Sequence, residues 1–254
     1  VFDKTPFYSE SGGQIGDVGV IKSEIGTFKV SDTQRHGSCT VHFGCLESGS
    51  FTVGESCELL VDENRRCIRR NHSATHLLHD ALIAVLGDHV MQKGSLVTAE
   101  RLRFDFSHSA PITSDEVDQI EQHVNALIDQ NFPVTTDLMK LDDAKSSGVK
   151  ALFDEKYADD VRVLTMGPSR ELCGGTHVAR TGDIGLFMIV EQTAVAQGIR
   201  RVEAVTSQHA LVNAQRQRRQ LQGLAKLCQS PTDAVGDKVE KTMRLLKQQQ
   251  KTID

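Results

Sequence analysis

The 254 residues contain no apolar run approaching about 20, the length a helix needs to cross a bilayer. No secretory signal pattern is visible. Cytoplasmic location without membrane contact is the expectation. Six cysteines (39, 45, 57, 67, 173 and 228) include no CxxC pair. Outside Cys173 they read as reduced core or surface residues rather than as a disulfide framework. A general base of the HExxH metalloprotease kind is missing too, because Ser73 stands after His72 where that motif has glutamate. No Ser/Cys–His–Asp order is evident, which disfavours covalent catalysis.

Charge of one sign is unevenly spread. Residues 205–254 hold nine Lys/Arg against four Asp/Glu, a net +5, which leaves −10 on the rest of a chain whose total is −5. An acidic body with a basic helical tail permits nucleic-acid contact without requiring it. The chain opens on valine and closes in an unfinished helical pattern, as expected of a piece of something longer.

What is present is two pairs of potential ligands. His72 and His76 lie four apart in RNHSATHLLHDAL, an apolar-periodic stretch that predicts helix. Residues four apart share a helix face, so both imidazoles can reach one ion. Cys173 and His177 lie four apart in ELCGGTHV, where two glycines allow a tight fold. Three imidazoles and one thiolate suit zinc. Because the pairs are nearly a hundred residues apart, the ion would tie distant parts of one fold. Structural and catalytic zinc both remain open, because sequence does not show whether Cys173 stays coordinated. His79, one turn past His76, reads as a surface residue or a neighbour of the ligands rather than a ligand.

The pattern along the chain predicts an α+β protein in three parts. Residues 1–63 carry short β-branched runs at 19–24, 26–32, 39–44 and 57–63, spaced as in a small β-barrel. Residues 64–206 form a zinc-containing α+β core. It has a helix from 64 to Gly87, a second behind the Thr113/Glu116 capping box, and strands near 94–97, 102–108, 133–139, 161–166, 183–191 and 199–206. Residues 207–254 read as two helices in a coiled-coil-like hairpin, broken at Ser230-Pro231. Arg65, Arg66, Arg69 and Arg70, with Arg200 and Arg201, are either a solvated face with acidic partners or phosphate contacts beside the metal pocket.

TPFYSESGGQIGDVG (5–19), RNHSATHLLHDAL (70–82), QKGSLV (92–97), LRFDFSH (102–108), ALFDEKY (151–157), ELCGGTH (171–177), TGDIGLF (181–187) and GIRRVEAVT (198–206) resemble the editing region of bacterial alanyl-tRNA synthetase. The resemblance covers nearly all of 1–206 and extends loosely into the helical pair. One departure is Asp154, where the family commonly has glycine.

The resemblance implies hydrolysis of tRNA(Ala) mischarged with serine or glycine, with zinc at His72, His76, Cys173 and His177. It implies a role for Gln14 in the editing pocket. The expected partners are the tRNA(Ala) 3′ end and acceptor stem, and an upstream, ATP-using aminoacylation domain and a downstream C-terminal domain in the full-length chain. Free-standing relatives edit in trans, and the threonyl-tRNA synthetase editing domain shares both metal motifs.

Such a site must admit serine and refuse alanine, so it should hydrogen-bond the serine hydroxyl. Gln14, Thr75 and Ser95 are the polar candidates near the motifs. Zinc either polarises water or only positions the substrate. Two other readings stay open: a free-standing trans-editing protein, and a non-catalytic acceptor-binding module with structural zinc.

Overall fold

The computed structural model describes residues 2–147, 149 and 159–253. The ALFDEKY segment, Asp154 included, lies outside the described residues. The chain divides into two units, Val1–Ser207 and Gln208–Asp254.

In the first unit, the glycine-punctuated N-terminal runs form four antiparallel strands: β1 (Gly19–Lys22), β2 (Thr27–His36), β3 (Cys39–Ser48) and β4 (Glu58–Val61). Their order is β3-β2-β1-β4. Phe7, Ile21 and Val30 form a small core against this sheet. The sheet is open, which corrects the expected barrel. β3 and β4 are its two edges, and no ladder joins them among the described residues. Period-two patterning is the same for a barrel strand and an open-sheet strand, so spacing alone could not separate them.

α1 (Arg65–Leu86) follows, ending at Gly87, whose φ of +110° suits glycine. Its apolar face, Ala74, Leu77, Leu78, Ala81 and Leu82, is wholly buried. It packs over a second antiparallel sheet made by β5 (Gln92–Val97), β6 (Leu102–Ser107), β10 (Phe187–Ala196) and β11 (Ile199–Thr206), in the order β10-β11-β6-β5. Leu102, Phe104 and Phe106 alternate inward from β6, each worth about 1.5–3 kcal/mol of burial. α2 (Ser114–Asp129) adds Ile120 and Val124 to the same core, and its Thr113/Glu116 capping box forms as the sequence predicts. The Asn125 side chain bonds both backbone groups of Phe187 at 2.9 Å, pinning α2 to β10.

A third sheet, β7-β8-β9, comprises β7 (Val134–Lys140), β8 (Asp160–Met166) and β9 (Ser169–Leu172), with the short α3 (Leu141–Ser146) beside it. The β8–β9 hairpin turns at Gly167, φ +55°, and its second strand delivers the CGGTH segment.

The second unit contains α4 (Ser207–Leu227), whose first residue belongs to the preceding unit, and α5 (Val235–Ile253). Two helices broken near Pro231 match the sequence reading. The coiled-coil seam does not close, however. Leu211, Leu221, Leu224, Val239 and Leu246 are all exposed, whereas helices packed along that seam would bury them.

Candidate metal centre

α1 presents His72 and His76 on one face, their rings stacked with centroids 5.3 Å apart. The segment after β9 brings His177 to 4.4 Å from His72 and 5.2 Å from His76, centroid to centroid. Cys173 Sγ lies 3.5 Å from His72 Nε2 and 3.2 Å from His177 Nε2. One ligand atom from each of the four residues falls within 4.8 Å of all the others. The structure thus brings all four sequence-predicted ligands together.

Each imidazole is held from behind. His72 Nδ1 donates to Gln14 Oε1 at 2.7 Å. The Gln14 amide is fixed in orientation because Oε1 also accepts the Thr176 backbone N–H at 2.9 Å, while Nε2 donates to Thr176 Oγ1 at 3.0 Å. His76 Nδ1 bonds a Glu171 carboxylate oxygen. His177 Nδ1 lies 3.2 Å from Ser73 Oγ, which also accepts the Val178 N–H. Ser73, which rules out HExxH chemistry, therefore has a use in seating the fourth ligand. These outer contacts leave the Nε2 atoms facing inward. His76 Nε2 is buried with no hydrogen-bond partner, a state that costs free energy unless something binds there. Three inward Nε2 atoms and a thiol fit a tetrahedral borderline-soft cation, and backing a ligand imidazole with a carboxylate or amide oxygen is how such ligands are oriented.

The electrostatics are those of a metal-ready cluster. Burial alone pushes the Cys173 thiol up, but His72, His76 and His177 together hold it well below its usual value. Burial penalises a charged His76, yet Glu171 and Cys173 raise it to about 10. His177 goes the other way, to about 3, through burial and then repulsion from His72. Burial would raise Glu171, but His76 and then His79 hold it at about 2.

Three of the four ligands, His72, His76 and Cys173, open onto a cavity of about 350 Å³. Thr75, Ser95, Gln92, Tyr8 and Arg35 line it beside His72, His76 and Cys173. Thr75 donates its hydroxyl hydrogen to Asn71 O at 2.9 Å, leaving oxygen lone pairs to accept. Gln14 is fully buried, and its loop is zipped to β5 by Val97 N to Gly13 O at 2.7 Å. A side chain on Gly13, φ +84°, would run into the Ser95 carbonyl at 2.6 Å.

Of the arginines, Arg65 pairs with the buried Asp17 and donates to Pro6 O at 2.5 Å, Arg70 donates to Asp183 O at 2.8 Å, and Arg201 grips Asp105 through two bonds of 2.7 and 2.8 Å. These three are occupied within the fold; Arg66 and Arg69 are exposed. His79 is buried and stands outside the ligand cluster, with Nδ1 3.0 Å from the second Glu171 oxygen. Glu171 is the site residue the sequence reading passed over. Its place two residues before Cys173 was the available signal: Glu171 lies on β9, and Cys173 N, one residue past the strand, still bonds Arg162 O and continues the alternation.

Comparison with known proteins shows what the chain is similar to. Residues 161–203 match the threonyl and alanyl tRNA synthetase second additional domain, and residues 1–65 match the class II (A) tRNA synthetases. The chain is thus related to the class II synthetases. It corresponds to the editing-domain region of alanyl-tRNA synthetase: it is 49% identical, over its whole length, to the alanine–tRNA ligase of Methylobacillus flagellatus. The chain spans 29% of that relative.

Proposed function

We propose that this region hydrolyses the aminoacyl ester of tRNA(Ala) mischarged with serine or glycine, as the editing part of a longer, cytoplasmic alanine–tRNA ligase. In that reading residues 1–63 are a flanking subdomain, 64–206 the editing core and 207–254 a linker to a C-terminal domain, while an upstream domain performs the ATP-dependent aminoacylation. The observation that carries it is the opening of the cluster, through His72, His76 and Cys173, onto a cavity that Thr75, Ser95 and Gln92 also line, rather than into closed protein. A purely structural ion needs no such cavity.

Zinc is the metal the donor set favours, and when bound it supplies either Lewis-acid polarisation or a fixed charge that orients the substrate. The chain's own residues set selectivity. Glycine, alanine and serine differ by groups worth only a few kcal/mol, so a synthetic site cannot separate them cleanly. Thr75 and Ser95, on the cavity wall, offer hydroxyls to the serine side chain, which the alanine methyl cannot use. Gln14 belongs to the site through His72, which its amide oxygen aligns. Tyr8 and Arg35, which also line the cavity, are the side chains offered to the tRNA 3′ end.

The non-catalytic module drew its support from the arginine clusters, and the internal engagement of Arg65, Arg70 and Arg201 reduces that support. Chelation tests the proposal. Seryl-tRNA(Ala) hydrolysis should cease when zinc is stripped and return when one equivalent is restored. Hydrolysis that ignores chelation, in a chain shown to be metal-free, would refute it.

A further inference from the structure

We infer that Glu171 is the positioning residue of the metal centre: one buried carboxylate that fixes His76, and His79 behind it, so that His76 offers Nε2 to the ion. The inference rests on the metal reading above but not on the identity of the substrate.

Four observations support it. Glu171 is 1% exposed, on β9, two residues before Cys173. Its two oxygens are divided between two imidazoles of α1: one meets His76 Nδ1, and the other lies 3.0 Å from His79 Nδ1. A carboxylate only accepts, so both Nδ1 atoms carry hydrogen. In a neutral imidazole that leaves Nε2 with its lone pair. His76 Nε2 is the buried, partnerless atom among the four clustered ligands.

A fully buried carboxylate is costly unless its environment requires it. Among the described residues the hydrogen-bond partners of its carboxylate are the two imidazoles, and one of them is a ligand. His79, at i+3 from His76, occupies the second oxygen and keeps the carboxylate from rotating away. The geometry is that of a carboxylate–histidine pair behind a metal, an arrangement that orients the ring and raises the basicity of its ligand nitrogen. Glu171 therefore does for His76 what Gln14 does for His72, with a full charge in place of an amide dipole.

The test compares the wild-type chain with Glu171→Gln, which keeps the shape and one acceptor oxygen but not the charge. Zinc affinity is measured by competition with a chromophoric chelator, and thermal stability is measured in parallel. Affinity should drop by roughly 10–100-fold, the usual cost of losing an outer partner of a metal ligand. A Glu171→Gln chain with lower stability but unaltered zinc affinity would overturn the inference and make Glu171 a core plug. A wild-type chain that takes up no zinc would overturn the metal reading and this inference with it.

Should the variant fail to fold, long-range imidazole nitrogen–proton spectra of the zinc-loaded wild-type chain decide the matter. They should show His76 protonated on Nδ1 and metallated on Nε2. The opposite tautomer would contradict the assignment.

Discussion

Gly175 lies against His72 so closely that a Cβ on it would fall on the imidazole Cε1, and 2.9 Å from Gln14 Oε1. The second glycine of the CGGTH segment is thus the space into which a metal ligand fits. Its neighbour Gly174 faces open space, with nothing within 4 Å of a built Cβ.

The two glycines should respond differently. Gly175→Ala should displace His72 and abolish stoichiometric zinc binding, whereas Gly174→Ala should bind zinc as the wild type does. Zinc content after dialysis against a weak chelator reads both. Equal behaviour of the two variants would show that the packing of Gly175 on His72 is not what seats the ligand.

Gln14→Ala leaves the buried donors of His72 and Thr176 without an acceptor. An orphaned buried group costs about 1–3 kcal/mol. The variant should unfold at lower urea, bind zinc roughly 10–100-fold more weakly and lose deacylation rate at saturating zinc. Retention of full rate would remove Gln14 from the site.

Metal-free stability should depend on pH through the Glu171–His76 pair. A carboxylate whose folded pKa lies below its unfolded value stabilises the fold above the unfolded value. Its contribution drains as pH falls through the folded one. Glu171 goes from the usual 4.5 to about 2, so the loss falls between those values. His76 is raised from 6.5 to about 10, so its contribution is full below 6.5 and disappears as pH climbs through 10. Urea midpoints of the chelated chain, compared with Glu171→Gln, should converge at both extremes and differ most between pH 4.5 and 6.5. A pH-independent difference would contradict this coupling.

Much of this site was legible because helical spacing is rigid. Two histidines four apart on α1 must share a face, and the CGGTH glycines signalled a tight approach. The partners behind the ligands were less legible, because Glu171 reaches His76 across 95 residues of sequence. Arg65 was equally opaque: in sequence it belongs to a basic cluster suited to phosphate, but in the fold it is committed to the buried Asp17. Helix ends at Gly87 and Thr113 were readable from local capping chemistry. Whether the N-terminal strands close into a barrel, or α4 and α5 into a seam, depends on packing between elements, which local pattern does not carry.

Thr113→Ala removes the side chain that caps α2, accepting from Glu116 N at 3.2 Å. It should cost about 1 kcal/mol of stability. Zinc affinity and deacylation should be unaffected, which separates loss of fold from loss of site. Denaturant midpoint and zinc titration on one preparation check both statements.

The most direct test of the central claim is ester hydrolysis by the zinc-quantified chain on seryl-tRNA(Ala) and alanyl-tRNA(Ala), alongside Cys173→Ala. The account predicts rapid loss of the seryl ester, a spared alanyl ester, and a rate about tenfold or more lower in a folded Cys173→Ala chain, at least the cost of losing an outer partner. Equal loss of both esters, or undiminished hydrolysis without Cys173, would contradict it.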